Sequence, residues 1–220
     1  MTPQLYRYPE QARYGKVLPK NKVYEQAKPS AALKERFVSE VGQITWEFKL
    51  SPETLNLPAR GDLQEIQVFT LSLKKPELKQ DVLRCIDEAI PHPIVFELQF
   101  GGQVRALSAF KRPNEAERGK WVVEDYFGTP WLAADSPRSP LPVALDIGGL
   151  YTALLRSWMP VPARANETLR AQVERLGRLR VLENEIARLE VKREREQQFN
   201  RKVEWHHVIR ELKKELDGLR

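Results

Sequence analysis

The sequence holds a single cysteine, Cys85, among 220 residues, so neither an internal disulfide nor a CxxC metal site can form. That usage fits a reducing, cytoplasmic compartment. Three histidines supply no metal site of recognisable spacing: His92 stands alone, and the adjacent His206 and His207 point in different directions on a helix. No apolar run approaches the ~18 residues of a membrane span, and the first twenty residues lack the apolar stretch of a secretory signal. Neither GxxxxGK[ST] nor GxGxxG occurs, so ATP-driven work is left to a partner and no cofactor is implied. Proline is missing from residue 163 onward, although the chain has 16 of them.

That last absence divides the chain. Proline costs about 3 kcal/mol inside a helix, and residues 164–220 are rich in Leu, Glu, Arg and Lys, with only Gly177 and Gly218. This region reads as helix, with Asn166 as its cap. Leu169, Val173, Leu176, Leu179, Leu182, Ile186 and Leu189 form a first apolar stripe. Trp205, Ile209, Leu212, Leu216 and Leu219 follow with coiled-coil spacing. A straight helix of this length would extend about 80 Å and could not bury its stripes on its own domain. It needs a partner: a second copy, another protein, or itself through a fold-back near residues 190–200. No Pro or Gly marks such a turn, which favours the straight form. The interface residues expected are Leu182, Ile186, Leu189, Trp205, Ile209, Leu212, Leu216 and Leu219.

Residues 29–163 read as an α+β domain with a largely antiparallel four-stranded sheet and packed helices. Helical spacing runs from Ser30 to Phe48, with Ser30 as a cap. Strands are predicted over 65–73, 94–100, 104–110 and 121–127, with Gly101-Gly102 as a two-residue turn and a polar loop over 112–119. A helix begins at Pro76 and stops at Pro91, and another covers 145–158. Cys85 on the apolar side of its helix reads as a small hydrophobe, and most of the tryptophans as core.

The formal charge of +6 suggests an anionic partner, but its location matters. Residues 1–36 carry eight basic and three acidic side chains, whereas residues 37–163 are slightly acidic. Residues 1–28 read as an arm in which Tyr6, Tyr8, Tyr14 and Tyr24 interleave with Arg7, Arg13, Lys16, Lys20 and Lys22. Such an arm suits a nucleic-acid backbone or an acidic protein groove, or else folds its aromatics back onto the domain.

Several segments resemble a bacterial family, domain of unknown function 4391: LPK at 18–20, ITWEFKLSPETLNL at 44–57, EIQVF at 65–69, AIPHPIVFEL at 89–98 and QFNRKVE at 198–204. The similarity spans essentially the whole chain. Genes of that family often lie beside SNF2-type helicases, DNA methyltransferases and restriction-type nucleases. The resemblance therefore implies a restriction-modification or anti-phage locus, and carries no catalytic residue with it.

Such a locus raises a metal-dependent nuclease as an alternative, which needs two carboxylates around Mg²⁺ and a lysine two residues on. Glu47-Phe48-Lys49 has that spelling, but the first aspartate is Asp62 and Glu47 falls at a predicted helix end. Asp81 or Asp87 with Glu97-Leu98-Gln99 is the other candidate, with Gln in place of Lys. Glu97 alternates with Phe96 and Leu98, so it is expected to face solvent without catalytic meaning. The sequence thus favours a non-catalytic accessory subunit, bound to a protein partner through its C-terminal helix, with DNA as a further contact.

Overall fold

The computed structural model describes residues 4–117 and 121–220, so positions 118 and 119 of the expected polar loop lie outside the described residues. The chain forms two compact units, residues 1–159 and 160–220.

The first unit is built on a mixed sheet whose strands are β2 (Arg13–Val17), β3 (Val41–Leu50), β4 (Ile66–Leu73), β5 (Ile94–Phe100), β6 (Gln103–Pro113) and β7 (Trp121–Gly128), in that spatial order. A short seventh strand, β8 (Leu132–Ala133), also pairs with β6. All neighbours run antiparallel except β4 and β5, which are parallel. A parallel pair needs a crossover, and α4 (Gln80–Ala89) supplies it. The sheet is therefore larger than the four strands expected. The difference arises mainly at β3. Apolar residues at 41 and 44 continue the helical spacing, but α2 (Ala31–Glu40) stops at Glu40 and the chain turns extended. Gly42 permits close approach there, since a Cβ would meet the Ser72 carbonyl oxygen at 3.1 Å. Trp46 and Phe48 then pair with Phe69 and Val68. Pairing across the sheet outweighed a local helical period.

Residues 5–27, expected as an arm, are woven into this unit. β1 (Leu5–Arg7) pairs in parallel with β9 (Arg138–Pro140), β2 forms the sheet edge, and α1 (Lys20–Ala27) buries Val23. Tyr6 and Tyr8 are buried because their rings pack on Trp158 and Phe48.

One face of the sheet carries α1, α2 and α4. Val23, Phe37, Val82 and Ile86 meet Ile44, Phe69, Phe96 and Leu98 in a single core. Each of the three phenylalanines adds about 2–3 kcal/mol by leaving water. Ser30 caps α2 through the Leu33 N–H at 3.3 Å. The buried Glu40 carboxylate accepts from the Lys79 N–H at 2.9 Å, at the start of α4. The opposite face receives α5 (Ile147–Trp158), capped by Asp146 through the Gly149 N–H at 2.6 Å. Between β3 and β4 lies the short α3 (Pro52–Leu55). Gly101 and Gly102 both have positive φ, 55° and 75°, as the β5–β6 turn requires.

The second unit is an antiparallel helical hairpin, α6 (Leu169–Arg195) and α7 (Phe199–Leu219). The straight helix favoured by sequence does not form. At the turn, Glu196 is extended and its carboxylate accepts the Gln197 and Gln198 N–H groups at 2.9 and 3.0 Å. A polar side chain thus does the work that Gly or Pro would have signalled. Thr168, rather than Asn166, caps α6; Asn166 is left-handed with φ 58°. No helix among the described residues is long and apolar enough to cross a membrane.

Candidate functional site

The residues that could carry chemistry fall into three separate polar clusters. The first lies under α4. Lys111, at a β6 irregularity, sends its ammonium to the carbonyls of Asp87, Ile90 and His92, at the C-terminal end of that helix. Helix C-termini present unpaired carbonyls and negative partial charge, so a cation is well placed there. Asp87 Oδ1 is 3.8 Å from Lys111 Nζ, and Tyr126 donates to Asp87 Oδ2 at 2.5 Å. Burial pushes the Asp87 carboxyl up to about 6, against the pull of Lys111 and Tyr126. Burial also lowers Lys111 to about 8, with Asp87 opposing. Both side chains are 1% exposed, so no substrate reaches them.

The second cluster lies on the opposite face. Glu97 does not face solvent as expected: it is 5% exposed and takes both guanidinium branches of Arg138, at 2.7 and 2.9 Å. Arg138 also donates to the Tyr6 carbonyl at 2.8 Å, tying β1 and β9 to the central strand. Asp87 and Glu97 are therefore divided by the sheet and cannot converge on one ion.

The third cluster contains Glu47 and Lys49. Contrary to expectation, Glu47 sits within a strand, at the irregularity between Trp46 and Phe48, and faces Arg13 at 3.7 Å. Lys49 pairs with Glu65 at 3.1 Å. Glu65 also accepts from Gln67 at 2.5 Å and lies 3.7 Å from His92 Nε2. Burial lowers the His92 pKa, which keeps the ring neutral near pH 7. Asp81 pairs with Arg36. Among the described residues no three His, Cys, Asp or Glu side chains are grouped to hold a metal ion. Cys85 is buried in the core, and burial pushes its thiol up to about 11.

The five basic residues singled out near the N-terminus have different roles. Lys20 donates to the Phe37 and Val41 carbonyls at 3.0 and 2.5 Å, closing the end of α2. Lys20→Met is expected to cost about 1–2 kcal/mol, measured by urea unfolding, because two carbonyls lose a charged donor. Arg13 and Lys22 pair with Glu10 and Glu25. Lys16 stacks 4.6 Å over the Tyr14 ring, and Arg7 is exposed on β1.

In the hairpin, Leu182, Ile186 and Leu189 of α6 and Ile209 and Leu216 of α7 are buried, while Trp205, Leu212 and Leu219 are half-buried. The partner of each apolar stripe is the other helix of the same hairpin. Lys213–Glu190 at 2.7 Å, Arg220–Glu183 at 3.1 Å and Arg178–Glu215 join the two helices. Arg175 bonds Glu167 through two nitrogens at 2.7 and 2.8 Å and holds that carboxyl down at about 2. The outward surface keeps Val181, Val191, Phe199, Val203 and Val208 exposed.

Sequence reasoning missed Lys111, Arg138, Glu65 and Tyr126. Lys111 left a signal, as a charged residue two positions beyond the inward-facing Ala109. Arg138 left none, because its loop has no period to read.

A family model described as a domain of unknown function (DUF4391) matches residues 7–216. No curated protein and no solved structure matches the chain.

Proposed function

The chain belongs to the DUF4391 family, and we propose that it is a non-catalytic accessory subunit of a bacterial restriction-modification-like or anti-phage system. In this reading it docks a helicase, methyltransferase or nuclease encoded beside it. The observation that carries the reading is the fate of the candidate catalytic residues. Asp87 and Glu97 are closed into pairs on opposite faces of the sheet, and Lys49 is paired with Glu65 rather than placed beside two free carboxylates. A metal-dependent nuclease requires such groups to converge around an accessible ion. The family resemblance supplies the locus, and the hairpin supplies a docking surface. With both inner stripes occupied, the contact falls to its outward side chains, Val181 and Val208 among them. Exposed valines along a long charged helix are suited to a partner's apolar groove.

Co-expression of the tagged full chain with its neighbouring helicase, methyltransferase and nuclease tests this. At least one neighbour is expected to co-purify, and Val181→Asp with Val208→Asp is expected to release it while the melting temperature stays unchanged. Retention of no neighbour, together with Mg²⁺-dependent cleavage of DNA by the purified chain, would sink the proposal in favour of the nuclease.

A further inference from the structure

Charge is arranged differently along the hairpin. Its body is laced by cross-helix pairs, Arg178–Glu215, Lys213–Glu190 and Arg220–Glu183. At the tip the cations are left over. Lys192, Arg193 and Arg195 crowd the last turn of α6, and Arg201 and Lys202 lie at the start of α7, whose first turn has no acidic residue. Arg193, Arg195 and Lys202 form no close ion pair among the described residues, although Glu190 attracts Arg193 and Glu196 attracts Lys202 at longer range; Glu196 itself is taken by Arg201 and two backbone N–H groups.

Helix electrostatics accounts for only part of this. Cations at the end of α6 complement its dipole, but a cation at the start of α7 opposes the dipole there. Lys202 is therefore placed against the local field, and the Coulombic pull of Glu196, which already accepts two backbone N–H groups, offsets it only in part. An arriving anion would remove that conflict. The neighbouring side chains indicate its kind. Phe199, Lys202, Val203 and His206 recur at i, i+3, i+4 and i+7, which puts them on one side of α7. Phe199 is 77% exposed, the largest such value for an aromatic residue in the chain's exposed apolar set. Arg193 and Glu194 join Lys202, Val203 and His206 around an open hollow of about 430 Å³, where two cations face one carboxylate.

We propose that this tip binds single-stranded nucleic acid, with Arg193, Arg195 and Lys202 meeting successive phosphates and Phe199 stacking on an unpaired base. Surfaces for single strands combine those two elements, cations that follow the backbone and an aromatic face that accepts any base. Charge complementarity selects the polyanion, and the exposed ring selects unpaired bases over a closed duplex. The inference adds a second contact to the accessory role and does not depend on it. The valines proposed for protein docking are different residues.

The test is fluorescence anisotropy with the full chain and a labelled oligonucleotide of about 20 nucleotides, single-stranded or duplex, across about 50–200 mM salt. The single strand is expected to bind more tightly. The triple variant Arg193→Ala, Arg195→Ala, Lys202→Ala should lose at least about tenfold in affinity and flatten the log–log salt slope by about 2. Phe199→Ala should lose about tenfold on the single strand and little on the duplex. Lys214→Ala, in the hairpin body, should bind as wild type. Circular dichroism melts of the variants should match wild type, since Arg195, Phe199, Lys202 and Lys214 are exposed and the half-buried Arg193 forms no ion pair among the described residues. Absence of salt-sensitive binding, or a triple variant that binds normally, would overturn the proposal. So would equal binding of duplex with no effect of Phe199→Ala. Polyglutamate competing as well as DNA would assign the tip to an acidic protein instead. Neighbours that still co-purify with the triple variant would show that failure here leaves the accessory role standing.

Discussion

Lys111→Met is expected to destabilise the sheet unit by about 3–5 kcal/mol, the usual cost of leaving one member of a buried ion pair alone. Methionine preserves most of the volume, so the loss would be electrostatic rather than a cavity effect. Three carbonyls around the end of α4 lose their common donor, and the Asp87 carboxylate loses its only nearby cation on β6. Urea unfolding followed by tryptophan fluorescence measures the change. The double variant Asp87→Leu, Lys111→Met should recover much of it, because an apolar pair of similar volume commonly matches or exceeds a buried ion pair. A single variant as stable as wild type would mean that the ammonium contributes nothing to closing α4.

The same pair predicts how stability follows pH. The folded Asp87 carboxyl is raised to about 6 from its ordinary 3.8, so between those values the folded state holds more protons than the unfolded chain. Stability then falls as pH rises from about 4 to 6, and stays lower above that. Lys111 is lowered to about 8 from 10.5, so the folded state holds fewer protons in that window and stability rises with pH across it. Lys111→Met should remove the alkaline rise and steepen the acid-side fall, because Asp87 without its cation is pushed higher still. Thermal melts from pH 4 to 10 separate the two limbs. Glu167 in the hairpin has the opposite sign: its lowered pKa makes a contribution present above pH 4.5 that disappears as pH falls toward 2.

How far the fold was legible follows from where the deciding interactions lie. Strands β4 and β5 and the turn at Gly101-Gly102 were readable because alternation and positive φ are local properties. The split of residues 30–50 into α2 and β3 was not. Val41 and Ile44 keep a helical spacing of three and share the core in the strand only because the register shifts between Val41 and Gln43, so the decision rests on pairing with Leu71 and Leu73, about thirty residues further on. The hairpin illustrates a similar limit. Its two stripes were plain, but the turn is made by Glu196 capturing two N–H groups, a device that composition does not announce. Glu97 is the sharpest case. Its alternation with Phe96 and Leu98 placed it on the other face, and this was right. That the face would be closed by Arg138 depended on β9, a three-residue strand without any pattern.

Arg138→Ala should therefore be the most damaging substitution on that face, at about 3–5 kcal/mol, and its effect should reach the N-terminus. Among the described residues the guanidinium is the only cation bonded to Glu97, and its third contact holds the Tyr6 carbonyl beside β9. Removal leaves a buried carboxylate on a central strand without a cation, with the Tyr8 hydroxyl as its neighbour. It also frees β1, whose pairing with β9 is only three residues long. Limited proteolysis should then cut between Arg7 and Arg13, which the intact protein resists, and urea unfolding should shift to a lower midpoint. Arg138→Lys should fall between the two, because an ammonium cannot reproduce the fork-to-carboxylate geometry. Glu97→Leu with Arg138→Met distinguishes the two consequences. Core stability should return toward wild type as the stranded charge disappears, while cleavage near the N-terminus should persist because Tyr6 has still lost its donor. If Arg138→Ala alone unfolds at the wild-type midpoint, Glu97 reaches water without its partner and the closed pair contributes little to this face.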